Sequence, residues 1–184
     1  MLKYLPNALT TLRLLLALPL GVLILRQDYD LALWVGLLAG ITDALDGFAA
    51  RRLNYFSPIG AALDPIADKT LITVAFVCFA YTGLIPWYLA IAVIARDLII
   101  VFGAACYHFL IGDFEFAATQ LSKTNMLVQI AFCTLVLAAK VTALIPAIAV
   151  TAASAAVLFI AGASGFDYVM KWSIKAFKHR REMD

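Results

Sequence analysis

Four aspartates stand close together in a chain that is otherwise mostly apolar. They form two spaced pairs, Asp43 with Asp46 and Asp64 with Asp68. Residues three or four apart share one face of an α-helix, so each pair would present two carboxylates in one direction. Carboxylate oxygens are the hard ligands that Mg²⁺, Mn²⁺ and Ca²⁺ prefer. The spacing therefore predicts a divalent-metal site.

Small and cationic residues accompany these carboxylates at fixed intervals. The segment reads Asp43-x-x-Asp46-Gly47-x-x-Ala50-Arg51 and, after eight residues, Gly60-x-x-x-Asp64-x-x-x-Asp68. The two glycines permit close approach of a helix or ligand to the backbone, and the arginine can hold a phosphate. Acidic clusters of this size often bind two metal ions about 3.5–4 Å apart, which clamp a phosphoryl group. The pattern predicts phosphoryl chemistry.

Composition indicates which elements must position this segment. Of 184 residues, 64% are hydrophobic and 14% are charged, whereas soluble domains are about one-quarter charged. A membrane-spanning helix needs about 20 apolar residues, so six such helices would use most of the chain. We therefore expect one membrane domain over residues 1–184, in contact with membrane lipid and without a nucleic-acid partner.

The apolar segments predict an all-α membrane protein with six transmembrane helices. They fall at about 8–26, 30–53, 62–82, 86–109, 120–140 and 143–165. A short polar turn ending at Pro58 joins the second and third, so we expect these two helices to be antiparallel neighbours whose four carboxylates converge. Each aspartate near a bilayer centre costs about 2.5–3.5 kcal/mol, and bound metal would compensate for that cost.

The distribution of Lys and Arg predicts the orientation. With both termini cytoplasmic, the inner face receives most of the cations, and the outer face receives Arg26 and Lys140. Cytoplasmic loops are enriched in Lys and Arg, so the metal site should face the cytoplasm. A basic stretch from Lys171 to Arg181 predicts an interfacial C-terminal segment against anionic lipid.

Other functions fit parts of this pattern. The aspartates could form plain ion pairs with Arg13, Lys69 and Arg96 in a structural membrane protein. They could also serve a divalent-cation transporter. A cation pathway has no use for a fixed arginine beside its ligands, so Arg51 favours the phosphoryl-transfer hypothesis.

The segment 43–68 resembles the signature of the CDP-alcohol phosphatidyltransferases, with every fixed position filled. The resemblance implies that CDP-diacylglycerol donates its phosphatidyl group to an alcohol and that CMP leaves, without a covalent enzyme intermediate. It also implies a multi-pass protein of the bacterial inner membrane and a homodimer.

The resemblance assigns roles by position. Asp43, Asp46 and Asp64 would bind Mg²⁺ or Mn²⁺, as two divalent ions, and Asp68 would contact the metal site and act as the general base. The family's opening helix reads Pro-Asn-x-Leu-Thr-x-x-Arg, which residues 6–13 match. The expected donor site comprises Asn7, Thr10, Asp43, Gly47, Ala50, Arg51 and Gly60.

The acceptor distinguishes two branches of the family. Phosphatidylglycerophosphate synthases use glycerol 3-phosphate and carry two further cations, where this chain has Ala104 and Asn125. Cardiolipin synthases use phosphatidylglycerol, and Arg96-Asp97 resembles their pattern. We favour phosphatidylglycerol as the acceptor and glycerol 3-phosphate as the alternative. Arg96 and Lys123 would grip the acceptor phosphate, unless Arg96 merely pairs with Asp97 and Lys123 is solvated.

Overall fold

The computed structural model shows six helices in the part of the chain that it describes. It describes the backbone of residues 5–53, 58–111, 120–142 and 144–183, and the side chains of residues 11–42, 67, 69–103, 120–142 and 144–170. The helices are α1 (Leu5–Leu25), α2 (Tyr29–Leu53), α3 (Pro58–Tyr81), α4 (Trp87–Ile111), α5 (Gln120–Val141) and α6 (Ala147–Met183). The described residues form no strand, so the all-helical prediction is confirmed for them.

Two of the described helical stretches are long and apolar enough to cross a membrane. They are Gln120–Val141 and Ala147–Met170. Three shorter apolar stretches lie at Thr11–Leu25, Tyr29–Thr42 and Lys69–Tyr81. The structure therefore supports two candidate spans, and the six-span topology stays a prediction.

Helix α6 is longer than its apolar segment predicts. It continues past residue 165 to Met183 and has 37 residues, about 55 Å at 1.5 Å per residue. Residues 166–183 contain neither glycine nor proline, so nothing in their composition interrupts the helix. The basic C-terminal stretch is thus a continuation of α6.

Two helix ends are closed by residues in the left-handed region. Gly83 has φ 73°, the Leu84 amide donates to the Phe79 carbonyl, and the Gly83 amide donates to the Ala80 carbonyl. This is a Schellman motif, which satisfies the last carbonyls of α3. Gln27 (φ 61°) occupies the same place after α1. The first of these turns connects α3 to α4, and the second connects α1 to α2.

The six helices form a ring around a central contact. In ring order they are α1, α3, α4, α6, α5 and α2, each packed against the next. Across the middle, α3 meets α5, where the Phe76 and Phe132 ring centroids lie 5.6 Å apart. This α3–α5 seam divides the bundle into one half with α1 and α2 and another with α4 and α6.

The expectation that α2 and α3 are neighbours does not hold along their described lengths. There they barely touch each other, and α1 packs against both. Leu20 on α1 and Leu137 on α5 line an apolar space that residues of α2 and α3 also border. Any convergence of the two helices is confined to the ends that carry the aspartates, whose side chains lie outside the described residues.

The buried interior changes from apolar to polar along the helices. Its apolar part includes Ile24, Phe76, Leu89, Phe132 and Val157. The buried polar side chains lie on the aspartate side of these, so that Arg13 precedes Leu20 on α1 and Gln129 precedes Phe132 on α5. They are Arg13, Thr42, Arg96, Asn125, Gln129 and Ser164. The bundle thus has a packed apolar end and, on the aspartate side, a polar end in which chemistry can take place.

Candidate active site

The predicted metal ligands lie on two helices. The backbone places Asp43 and Asp46 in α2, and Asp64 and Asp68 in α3. Their side chains lie outside the described ones, as do those of Gly47, Ala50, Arg51 and Gly60 and those of Asn7 and Thr10 on α1. The spacing on continuous helices fits the predicted carboxylate pairs, and metal binding stays a prediction.

Arg13 is buried beside this segment. Its side chain is 2% exposed, although a guanidinium is one of the groups least often found inside a protein. A Cβ on Gly21 would meet Val74 and Cys78 on α3. Arg13 lies about two turns before Gly21 on α1, and Asp68 lies about two turns before this contact on α3. The backbones of Arg13 and Asp68 are therefore at about the same level. A buried cation at this level would offset the negative charge that the sequence places on α2 and α3.

An apolar cleft adjoins Arg13. Its empty space is about 620 Å³ when the open solvent at its mouth is included, and it is lined by residues of α1, α2, α3 and α5. Arg13 is the charged residue among its described lining residues, and the others are mostly aliphatic. The lining therefore suits a hydrocarbon chain with its polar end at Arg13.

Two glycines on α2 give the cleft its width. A Cβ on Gly40 would meet nothing within 4 Å, and one on Gly36 would come 3.9 Å from Leu137 and Leu20. Larger side chains at these positions would occupy the cleft. Thr42 follows at the end of the described part of α2, and its hydroxyl donates to the Ala39 carbonyl at 2.7 Å.

Arg96 is the centre of a polar network in the other half of the bundle. Its Nη1 donates to Asp97 Oδ1 at 2.6 Å, and its Nη2 donates to Ser122 Oγ at 3.0 Å. The same Nη2 donates to Ser164 Oγ at 2.5 Å. The guanidinium therefore joins α4 to α5 and α6.

The surroundings of Arg96 hold it in place. Lys69 Nζ on α3 lies 3.5 Å from Asp97 Oδ1, and the Tyr168 ring centroid lies 6.0 Å from Arg96 Cζ. A Cβ on Gly165 would come 3.6 Å from Arg96 Cγ. Arg96 Nε is buried and has no hydrogen-bond partner among the described residues. One N–H of a fixed cation is thus left for another acceptor.

The structure places the two predicted acceptor residues differently. Arg96 is 7% exposed and makes the local pair with Asp97, but it is also tied to two other helices. Lys123 is exposed on α5, one residue after Ser122. The structure does not join Lys123 to the Arg96 network, and its predicted role in acceptor binding stays a prediction.

Ser122, Gln129 and Ser164 were not predicted as site residues, and Asn125 was considered only as the position of a missing cation. Ser122 and Ser164 bind Arg96, and Asn125 and Gln129 are 2% and 3% exposed. Ser164 lies in the small-residue segment Gly162-Ala-Ser-Gly165, a composition typical of close helix packing. A signal was present, because a mid-helix arginine needs hydrogen-bond acceptors on its neighbouring helices.

These features define a helical membrane protein whose bundle combines an apolar cleft, a fixed arginine and a segment of four aspartates. Residues 3–165 match the family model described as CDP-alcohol phosphatidyltransferase. The chain therefore belongs to the CDP-alcohol phosphatidyltransferase family.

Named relatives divide between the two acceptor branches. The chain is 47% identical over 97 residues to "Cardiolipin synthase (CMP-forming)" of Rattus norvegicus and to that of Homo sapiens, covering 52% of this chain and 32% of each relative. It is 44% identical over 87 residues to "CDP-diacylglycerol--glycerol-3-phosphate 3-phosphatidyltransferase" of Cereibacter sphaeroides, covering 45% of this chain and 39% of that relative. The matched segments thus span less than half of the relatives' lengths.

Proposed function

We propose that this protein transfers a phosphatidyl group from CDP-diacylglycerol to phosphatidylglycerol, which releases CMP and forms cardiolipin. Membership of the family supports the reaction class, and the names of the rat and human relatives support the acceptor. The observation that carries the choice of acceptor is the charge of the Arg96 network.

The charge argument rests on two cations that share one carboxylate. Arg96 and Lys69 both contact Asp97 Oδ1, at 2.6 and 3.5 Å, so the three side chains together carry one net positive charge. The phosphodiester of phosphatidylglycerol carries one negative charge, whereas a phosphomonoester such as glycerol 3-phosphate carries about −1.5 to −2 near pH 7. The network therefore balances a phosphodiester better.

The donor is assigned to the other half of the bundle. Its diphosphate would lie at the four aspartates, together with Arg51, and one acyl chain would enter the apolar cleft past Arg13. The aspartates would hold Mg²⁺ or Mn²⁺, which suits their hard oxygen donors. Such an ion, when bound, neutralises charge on the diphosphate and stabilises the transition state.

The proposed step is an in-line displacement at phosphorus. Asp68 accepts the proton of the acceptor hydroxyl, whose oxygen forms a bond to the phosphorus that carries diacylglycerol. The bond from this phosphorus to the bridging oxygen breaks, and CMP leaves with that oxygen. Arg96 holds the phosphodiester of the acceptor, and its buried Nε–H is the donor left for this contact.

Phosphatidylglycerophosphate synthesis is the second candidate. The Cereibacter sphaeroides relative supports it, because its name specifies glycerol 3-phosphate as the acceptor. In that case exposed Lys123 would supply an additional cation close to Ser122. The exchange of one acceptor for the other would leave the donor half unchanged.

Topology and assembly are part of the proposal. We place the aspartate segment at the cytoplasmic side of the bacterial inner membrane, because the cationic residues cluster at that end of the helices. The exposed aromatic residues Tyr81, Trp87 and Tyr88 at the opposite end suit the other membrane interface. A homodimer is expected from the family resemblance.

An acceptor assay tests the proposal. Purified protein in detergent would receive labelled CDP-diacylglycerol, Mg²⁺ or Mn²⁺, and either phosphatidylglycerol or glycerol 3-phosphate. We expect cardiolipin and CMP in equal amounts with phosphatidylglycerol. Formation of phosphatidylglycerophosphate with glycerol 3-phosphate, and no product with phosphatidylglycerol, would identify the second candidate instead.

A further inference from the structure

Two buried amide side chains on α5 have unmatched hydrogen-bonding atoms. Asn125 and Gln129 are 2% and 3% exposed. Asn125 Oδ1 and Gln129 Nε2 make no hydrogen bond to any residue that the structure describes. A buried polar atom without a partner is costly and therefore rare. Two on adjacent turns of one helix indicate that something else binds there.

The position of the pair relates it to the proposed chemistry. Lys69 on α3 contacts Asp97, and Ser122 on α5 contacts the neighbouring Arg96, so these two positions lie at one level. Further along both helices, Phe76 on α3 contacts Phe132 on α5. The two helices therefore run in the same direction. Asn125 lies seven residues before Phe132, and Asp68 lies eight before Phe76. The backbones of Asn125 and Asp68 are therefore at about the same level of the seam.

The same two turns of α5 border both halves of the bundle. Met126 and Ile130, each one residue beyond a member of the pair, line the apolar cleft. Ser122, one turn before Asn125, accepts a hydrogen bond from Arg96. The pair thus lies between the proposed donor and acceptor regions.

The hydrogen-bonding pattern selects the ligand class. Residues four apart rise about 6 Å along a helix, so one oxygen atom can bridge the two side chains. Asn125 Oδ1 needs a donor and Gln129 Nε2 needs an acceptor. A hydroxyl satisfies both, whereas a phosphate oxygen only accepts and an ammonium only donates. The conclusion holds for the amide orientations of the structure, and also when O and N are exchanged in both side chains.

We propose that Asn125 and Gln129 bind the non-reacting hydroxyl of a polyol acceptor and so orient the reacting hydroxyl towards Asp68. This inference rests on the proposed function and adds a specificity determinant to it. In phosphatidylglycerol the bound group is the secondary hydroxyl of the free glycerol. The pair are positioning residues, because they contact the substrate away from the reacting atoms.

The first test uses the unaltered protein. Its kcat/KM for phosphatidylglycerol is compared with that for an analogue whose headgroup is 3-hydroxypropyl, which keeps the reacting hydroxyl and lacks the secondary one. We expect a preference of about 10- to 100-fold for phosphatidylglycerol, because loss of the hydroxyl leaves both amides unpaired. Equal use of the two acceptors would overturn the proposal.

The second test uses the double variant Asn125→Leu with Gln129→Met. The preference for phosphatidylglycerol over the analogue should fall to about twofold or less, because apolar side chains make no hydrogen bond to the secondary hydroxyl. KM for CDP-diacylglycerol should be unchanged. Gln120→Met, an exposed residue of the same helix, is the matched control and should keep the preference. A double variant that also keeps it would show that the amides bind water instead.

These outcomes are distinct from failure of the proposed function. If the unaltered protein makes no product with phosphatidylglycerol, the comparison is repeated with glycerol 3-phosphate and 3-hydroxypropyl phosphate, which differ by the same hydroxyl. Binding gives a readout without turnover: in Asp68→Asn, phosphatidylglycerol should raise the melting temperature more than its analogue does. Equal shifts would overturn the hydroxyl assignment, whichever acceptor is used.

Discussion

The two halves of this bundle differ in how their interiors are filled. The half with α1 and α2 contains an apolar cleft in which glycines leave space. The half with α4 and α6 is filled around Arg96, whose hydrogen bonds reach three helices. The first half is open to a hydrocarbon chain, and the second fixes one cation.

This difference indicates how the donor and the acceptor can be recognised separately. A cleft of aliphatic side chains selects for length and width and does so weakly per atom. A buried guanidinium with defined partners selects for charge and geometry, because an unpaired buried charge is costly. Changes in one half should therefore alter the kinetic constants of one substrate and leave those of the other nearly unchanged.

The largest expected effect comes from the residue that both halves share. Asp68→Asn should lower kcat by about 10²–10⁴-fold, because the amide cannot accept the proton of the acceptor hydroxyl. Binding of CDP-diacylglycerol, measured as the shift in melting temperature, should largely persist, because three predicted ligands remain. Loss of donor binding with normal kcat at saturation would contradict the assignment of Asp68 as the base.

A smaller effect is expected in the Arg96 half. Arg96→Lys keeps one positive charge, but an ammonium cannot reproduce the planar fork that binds Asp97, Ser122 and Ser164. We expect KM for phosphatidylglycerol to rise about 10- to 100-fold, with KM for CDP-diacylglycerol within about twofold. The exposed Arg26→Lys is the control. An equal rise in both KM values would contradict the proposal that the two halves recognise the donor and the acceptor separately.

The sequence predicted the helices better than their arrangement. Hydropathy placed the start of α5 correctly, because strongly apolar runs determine helices locally. It misplaced the end of α6, where polar residues without glycine or proline continue the helix to Met183. The short turn before Pro58 suggested adjacent helices, but along their described lengths α2 and α3 barely touch each other and α1 packs against both. A short turn brings together only the ends that it joins, and packing along the rest of two helices depends on side chains that are distant in the sequence.

The residues around Arg96 were accessible to sequence reasoning only in part. Arg96 and Asp97 are recognisable from their charge in an apolar segment. Ser122 and Ser164 are separated from Arg96 by 26 and 68 residues, and small polar residues are common in packed helices. Asn125 was considered only as a missing cation. Its relation to Gln129 depends on which face of α5 is buried, which requires the packed structure.

A moderate effect is expected from filling the cleft. Gly40→Leu places a side chain where a Cβ meets nothing within 4 Å, so the helix can accept it while the cleft narrows. KM for CDP-diacylglycerol should rise about tenfold, with KM for phosphatidylglycerol unchanged, since displacing a chain of several methylenes is worth about 0.8 kcal/mol each. Gly162→Leu, on exposed α6 surface with equal space, is the matched control. An unchanged donor KM would show that the acyl chain lies elsewhere.

The last two expected effects are on stability and leave the kinetic constants aside. A Cβ on Gly21 would lie 2.8 Å from Val74 Cγ1, whereas one on Gly165 would lie 3.6 Å from Arg96 Cγ, an ordinary contact. Because valine is stiff at χ1, Gly21→Ala should lower the free energy of unfolding by about 1–3 kcal/mol. Gly165→Ala should raise it by up to about 1 kcal/mol through helix propensity. Thermal unfolding in detergent measures both, and a loss of stability in Gly165→Ala as large as that in Gly21→Ala would mean that the Arg96 half is packed as tightly as the α1–α3 contact.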